Sequence, residues 1–253
     1  MRITGSVPAP QNTPQLRVGP IVHTPAAGLT TYSIPIPSET QINDYIIIAG
    51  SNIGGSATFV TPDATTPWMF RFWSSSNETG NTHTYYSSCW LIVGLARSGD
   101  IGSSITVNAT AISATAIHVY VFTNPNQTHK DFVGNGTITN STNLYYATNS
   151  NWGMVETRDA TISPTTSLTF PGNTTKASRF ITRVFSSAAS NEAANSQVPV
   201  LTFSGAGVKT STSAPGYLVK FLSCYEIGAD TTQSATISSD INCSLNGMYV
   251  NLI

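Results

Sequence analysis

Ser104 to Phe122 reads SITVNATAISATAIHVYVF, and Ser234 to Ile253 reads SATISSDINCSLNGMYVNLI. Both stretches begin Ser-x-Thr-(Val/Ile), and both close on an aromatic-bearing strand, Val119-Tyr120-Val121 in the first and Met248-Tyr249-Val250 in the second. The Ser-x-Thr starts lie 130 residues apart and the tyrosines 129, so aligning the tyrosines takes one residue out of the second turn. Apolar residues recur at every second position near the end of each stretch, which is the period of a strand.

The echo extends upstream at the offset of 130, where Leu91-Ile92 falls on Phe221-Leu222 and Asp100 on Asp230. Further back, Ser33-Ile34-Pro35-Ile36-Pro37 followed by Tyr45-Ile46-Ile47 matches Ser167-Leu168-Thr169-Phe170-Pro171 followed by Arg179-Phe180-Ile181, at an offset of 134. This is one β unit written twice: strand, Pro turn, apolar strand, long loop, aromatic strand, two closing strands. Good helix formers are scarce and no long window has a 3.6-residue period. The expected fold is all-β, an antiparallel β-sandwich of jelly-roll or Ig-like type. It is built from two similar β units, residues 29–122 and 151–253, as one fused domain or two, with a polar excursion at 123–150 between them.

In the closing strands Ile117, Val119 and Val121 share one face, and Met248, Val250 and Leu252 share the matching one. That face is the expected core. His118, Tyr120 and Phe122 lie opposite, with Tyr249 and Asn251 in the second unit, and the tyrosines are expected at a boundary with a neighbour, where a ring is buried and a hydroxyl finds a polar partner.

Charged residues make up only 9% of the chain and the net charge is −1. Mean hydropathy is nonetheless zero, because Ser, Thr and Asn fill the polar positions. Nucleic acid and anionic membranes need clustered Lys and Arg, so neither is an expected partner. No run approaches the roughly 20 apolar residues of a membrane span. The N-terminus lacks the apolar core of a secretory signal, so either a signal was removed or the protein is made and assembled in the cytoplasm, and the retained Met1 favours the second. Cys89, Cys224 and Cys243 form no paired motif and are expected as reduced, partly buried thiols.

Residues 1–28 stand apart in composition. Pro8, Pro10, Pro14, Pro20 and Pro25 exclude a helix, and Arg2 and Arg17 are the only charges. The segment is expected as an extended arm lying on a neighbouring subunit.

The search for chemistry returns little. Gly50-Ser-Asn-Ile-Gly54-Gly55 follows an apolar strand, but no helix start follows to bind phosphate. His23, His83, His118 and His129 have no ligand spacing, and the carboxylates are scattered. No G-x-S-x-G elbow is present. Calcium would find its oxygens near Asp100 or Asp230. The expectation is a protein that is not an enzyme, with no catalytic, cofactor or metal site.

The order Pro37, turn, Asn43-Asp44-Tyr45-Ile46-Ile47, Pro67-Trp68, an aromatic strand, Ser104-x-Thr-Val and a strand ending Val119-Tyr120-Val121 resembles the β-sandwich virion structural proteins of tailed bacteriophages. Their pattern has Gly-Asp before the apolar strand and a later Gly-Trp. Here Asn43 replaces that Gly, Pro67 precedes the Trp, and the second unit lacks the Asp motif. The resemblance implies a capsid decoration or cement protein, or a tail-associated one, located in the virion. Its partners would be the major capsid protein or tail proteins and further copies of itself. Attachment would run through the arm, with Arg2, Pro8, Pro10, Pro14, Arg17 and Pro20 as its contact residues. The alternative is a tail-fibre module binding a glycan receptor through Trp68, Trp73, Tyr145 and Tyr146. A secreted adhesin is a third reading, for which no anchor signal is visible.

Overall fold

The computed structural model describes residues 13–26, 28–54, 60–62, 70–79, 84–109, 114–125, 139–141, 144–146, 154–158, 165–170, 180–190, 198–204, 209–216, 219–230 and 233–252. Among them the regular structure is all strand, without a helix. The first half contains β1 (Leu16–His23), β2 (Thr31–Pro35), β3 (Tyr45–Gly54), β4 (Val60–Pro62), β5 (Phe70–Thr79), β6 (Thr84–Leu95), β7 (Ser104–Ala109) and β8 (Ala114–Phe122). Then follow β9 (Thr139–Ser141), β10 (Leu144–Tyr146), β11 (Met154–Arg158), β12 (Thr165–Phe170), β13 (Phe180–Ser190), β14 (Leu201–Ser204), β15 (Lys209–Gly216), β16 (Val219–Asp230) and β17 (Ala235–Leu252).

The first half forms a five-stranded sheet in the order β1-β8-β3-β6-β5 and a three-stranded sheet in the order β2-β7-β4. The second half repeats this order. Its larger sheet runs β15-β16-β13-β17-β11, with β10 and β9 continuing beyond β11, and β12 and β14 flank the start of β17. β17 is one long strand doing the work of β7 and β8 together. Ala235 to Ser239 pair with β12 and β14, whereas Ser244 to Leu252 pair with β13. All pairs are antiparallel.

Three buried clusters hold the layers together by removing apolar surface from water. In the first half Ile34, Ile46, Ile48, Trp90, Ile92, Ile105, Val107, Ile117 and Val119 fill the space between its two sheets. In the second half Leu168, Phe170, Phe185, Leu222, Ile237, Leu245 and Tyr249 do the same. The third cluster joins the halves: Tyr45, Ile47, Leu91, Val93, Tyr120 and Phe122 meet Val184, Ala188, Phe221, Tyr225, Val250 and Leu252. Both faces of the central strands are therefore buried, which accounts for runs such as Ile46-Ile47-Ile48 that do not alternate.

The clusters correct the tyrosine alignment. Tyr120 lies in the cluster between the halves and Tyr249 in the core of the second half, so they face opposite ways. An alignment wrong by one residue inverts every side chain. The partner of Tyr120 is Val250, and Phe122 corresponds to Leu252. The offset then stays at 130 from Leu91 and Phe221 to the C-terminal strand, with no residue lost from a turn. Upstream, Ile47 pairs with Tyr120 and Val184 with Val250, which makes the offset there 137 rather than 134. The face expected to meet a neighbouring molecule meets the other half of the same chain.

The arm expected over residues 1–28 also changes. Leu16–His23 is a strand that pairs with β8, interrupted by register shifts around Val18 and by a cis bond between Gly19 and Pro20. Leu16 and Ile21 add to the apolar clusters. Pro20 is tolerated because β1 is the sheet's edge, where a missing N–H leaves no ladder bond unmade.

Candidate functional site

Among the described residues three polar groupings stand out: an ion pair that fastens β1, a cluster at the seam between the halves, and Arg183 with Glu226 in the second half. The ion pair begins at the turn before β3. Asn43 adopts φ of 69°, the left-handed conformation that Gly takes freely and that Asn tolerates better than most. That turn buries Asp44, whose Oδ2 accepts from Arg17 Nε at 2.5 Å and from the Gln41 backbone N–H at 2.8 Å, while Oδ1 accepts from Arg17 Nη2 at 3.2 Å. The fork-to-fork geometry is the strong form of a guanidinium–carboxylate pair. Arg17, expected as a contact residue of the arm, is thus bound within its own chain. Replacing Arg17 with Ala strands a carboxylate whose side chain is only 4% exposed. The expected cost in urea unfolding is ~2–3 kcal/mol, discounted from a fully buried pair because Arg17 is partly in water.

The seam cluster is assembled by β8 and β16. Alternation puts His118 and Tyr120 on the outer face of their sheet, and Ser223 on the facing surface of the other sheet. His118 Nδ1 lies 2.7 Å from Ser223 Oγ, and the Tyr120 hydroxyl bonds to the same oxygen. Tyr120 also packs edge-on to Tyr225, with ring centroids 5.8 Å apart. Nearby, Ser186 Oγ donates to the Gly50 carbonyl at 3.4 Å, and Thr182 Oγ1 donates to the Pro14 carbonyl at 2.5 Å. The second of these ties the segment before β1 to the second half. His118, Thr182, Ser186 and Ser223 are all fully buried.

Burial, with His23 close by, pulls His118 down to about 4. Burial likewise holds the Tyr120 phenol well above its ordinary value. Neither group is charged near neutral pH, so the cluster works as hydrogen bonds in a low-dielectric seam, where such networks are strong and unpaired members costly. A histidine and a serine in contact suggest nucleophilic catalysis, but the neighbours of His118 here are Ser223, Tyr120 and the Phe221 ring, 4.7 Å away between centroids. Among the described residues no carboxylate is bonded to the imidazole as in a triad.

A third polar pair lies in the second half. Arg183 and Glu226 are directly opposed on β13 and β16, both buried. Arg183 Nη1 donates to the Gln233 carbonyl at 2.6 Å and its guanidinium sits 5.8 Å from the Tyr249 ring centroid. Burial raises Glu226 more than Arg183 lowers it.

The residues singled out in the sequence are not gathered into one place. Arg2, Pro8, Pro10 and Trp68 lie outside the described residues. Pro14 serves through its carbonyl, and Pro20 lies within β1. Trp73 is on β5 opposite Trp90, and Tyr145 and Tyr146 are on β10 between β9 and β11. Asp100 accepts the Arg97 backbone N–H at 2.7 Å, closing its own turn. Cys89, Cys224 and Cys243 are fully buried, more so than expected, and form no disulfide with one another. Among the described residues no cluster of metal-ligating side chains is present. Ser223, Thr182 and Arg183 were not visible beforehand, because Ser and Thr occur everywhere in this chain and only strand pairing selects these. No protein-family model, curated protein or solved structure matches the chain.

Proposed function

We propose that this protein is a non-enzymatic structural subunit of a bacteriophage particle, a head decoration or cement protein built from two stacked jelly-roll sandwiches. The repeated strand order carries this reading. β1-β8-β3-β6 facing β2-β7-β4 is the order of a jelly roll, and β11-β17-β13-β16 with β12-β17-β14 repeats it. Jelly rolls build viral coats as well as lectins. β5 and β15 stay paired with β6 and β16 at the sheet edge instead of crossing to the smaller sheet, and both units share that departure. The polar groups that sequence alone left available, Arg17 and His118 among them, support a rigid body, since they fasten one part of the chain to another.

In this reading the attachment device shortens to residues 1–12, which retain Arg2, Pro8 and Pro10. The weakly charged surface favours contact with capsid or tail proteins and with further copies over solvation by charge. The test is co-sedimentation and light scattering of the full chain and of a chain lacking residues 1–12, each with phage shells. The expected result is that the full chain pellets with shells and the truncated chain stays in the supernatant, still folded. If neither pellets, cement function is wrong, and a glycan array with Trp73, Tyr145 and Tyr146 variants addresses the receptor-binding alternative.

A further inference from the structure

Among the described residues, the seam between the halves contains a buried imidazole. His118 is fully buried and is bonded across the seam to Ser223. The groups around it can be taken element by element. β1 contributes His23, one residue from the position paired with His118. β3 contributes Ala49, its direct pair, and Ser51. β8 contributes Tyr120, and β16 contributes Phe221, Ser223 and Tyr225. β15 brings Lys209 to the register position opposite Tyr225. β13 contributes Val184, Ser186 and Ala188, none of which titrates near neutrality. Among the described residues no carboxylate faces the ring. Glu226 alternates to the opposite side of β16, beside Arg183, and Asp44 is bound to Arg17.

We propose that acidification opens the joint between the two halves while each half keeps its own core. In the tautomer whose Nδ1 is an acceptor, Ser223 donates its proton to His118 Nδ1 and accepts one from Tyr120. A proton arriving at Nδ1 removes that acceptor. Ser223 must then turn to accept from the ring, and the Tyr120 hydroxyl loses its own acceptor unless it turns as well. The new charge also sits in a buried seam, with His23 near enough to disfavour it, and burial lowers both imidazoles.

The direction of the effect follows from linkage. The folded chain holds His118 at about 4 against an ordinary 6.5, so its contribution is complete above 6.5 and is lost as pH falls toward 4. The separate cores carry a smaller penalty. In the first half His23, paired with Ile117 beside its core, is lowered by burial less than His118 is, and in the second half Glu226 is raised, so its protonation favours the folded form as pH falls. The halves remain joined by the intervening chain, so opening is a hinge movement and not a dissociation.

The test is small-angle scattering with far-ultraviolet circular dichroism on the full chain from pH 7.5 to 4, for the natural protein and for His118→Phe. Phe fills the ring volume without titrating. The natural protein is expected to expand between pH 6.5 and 4 with its strand signal retained, and the variant to expand at least about one pH unit lower. Simultaneous loss of compactness and strand signal, or an unchanged midpoint in the variant, overturns the proposal. If His118→Phe does not fold, the nuclear magnetic resonance titration of His118 in the natural protein decides. A ring titrating near 4 in step with expansion supports the joint, and one titrating near 6.5 without expansion overturns it.

Discussion

Removing residues 1–28 is expected to leave the protein unfolded or aggregated, whereas removing residues 1–12 leaves its melting temperature almost unchanged. The longer deletion takes away β1. With it go the Arg17 partner of buried Asp44, the Pro14 carbonyl that accepts from buried Thr182, and the apolar contacts of Leu16 and Ile21. Stranding Asp44 alone costs ~3 kcal/mol. The lost hydrogen bond and apolar burial add a few more, against a total stability of ~5–15 kcal/mol. β8 would also become a bare sheet edge, with unpaired backbone groups that recruit other chains. Thermal unfolding by circular dichroism, with light scattering alongside, reads both effects. A chain without residues 1–28 that melts like the full protein would show that β1 is an arm after all.

Gly50→Ala is expected to destabilise the first half strongly. Gly50 is paired with Trp90 across β3 and β6, and the indole occupies the space that a side chain at 50 would take. A Cβ there would stand 2.1 Å from Trp90 Cζ2, 2.4 Å from Cε2 and 2.5 Å from Cη2. Trp90 is 1% exposed and walled by Ile46, Ile48 and Ile92, so the ring has nowhere to move without disturbing the core. Overpacking of this kind costs ~3 kcal/mol, at the upper end of the usual range. Pairing it with Trp90→Leu, which makes room, should cost less than the two single changes added together. The check is urea unfolding of the two single variants and the double. Full additivity, or a Gly50→Ala loss under ~0.5 kcal/mol, would mean that the indole is not packed as described.

These contacts show where sequence reading succeeds and where it stops. β6, β7 and β8 were legible almost to the residue, because each combines β-branched or aromatic residues with turn residues at its ends. β17 was expected as two strands, since Asp240 and Asn242 look like a turn, yet pairing on both flanks carries the strand straight through. β15 was missed altogether. KTSTSAPG has the composition of a loop and is held as a strand by its pairing with β16. The face of Tyr120 was misjudged for a deeper reason. Alternation says that two faces differ but not what each meets, and here the second face is covered by residues about 100 positions away. The seam cluster has no local signature for the same reason: His118 and Ser223 become a pair only when the two sheets stack.

That stacking is the central claim, and a double-mutant cycle between Tyr120→Phe and Ser223→Ala measures it most directly. Each change removes one hydroxyl from opposite sides of the seam, and the two residues have no other link in sequence or strand pairing. If the halves meet as described, the two losses are coupled by ~1 kcal/mol or more in urea unfolding at neutral pH. Losses that add to within ~0.3 kcal/mol would place the two residues apart, and the stacked arrangement with them.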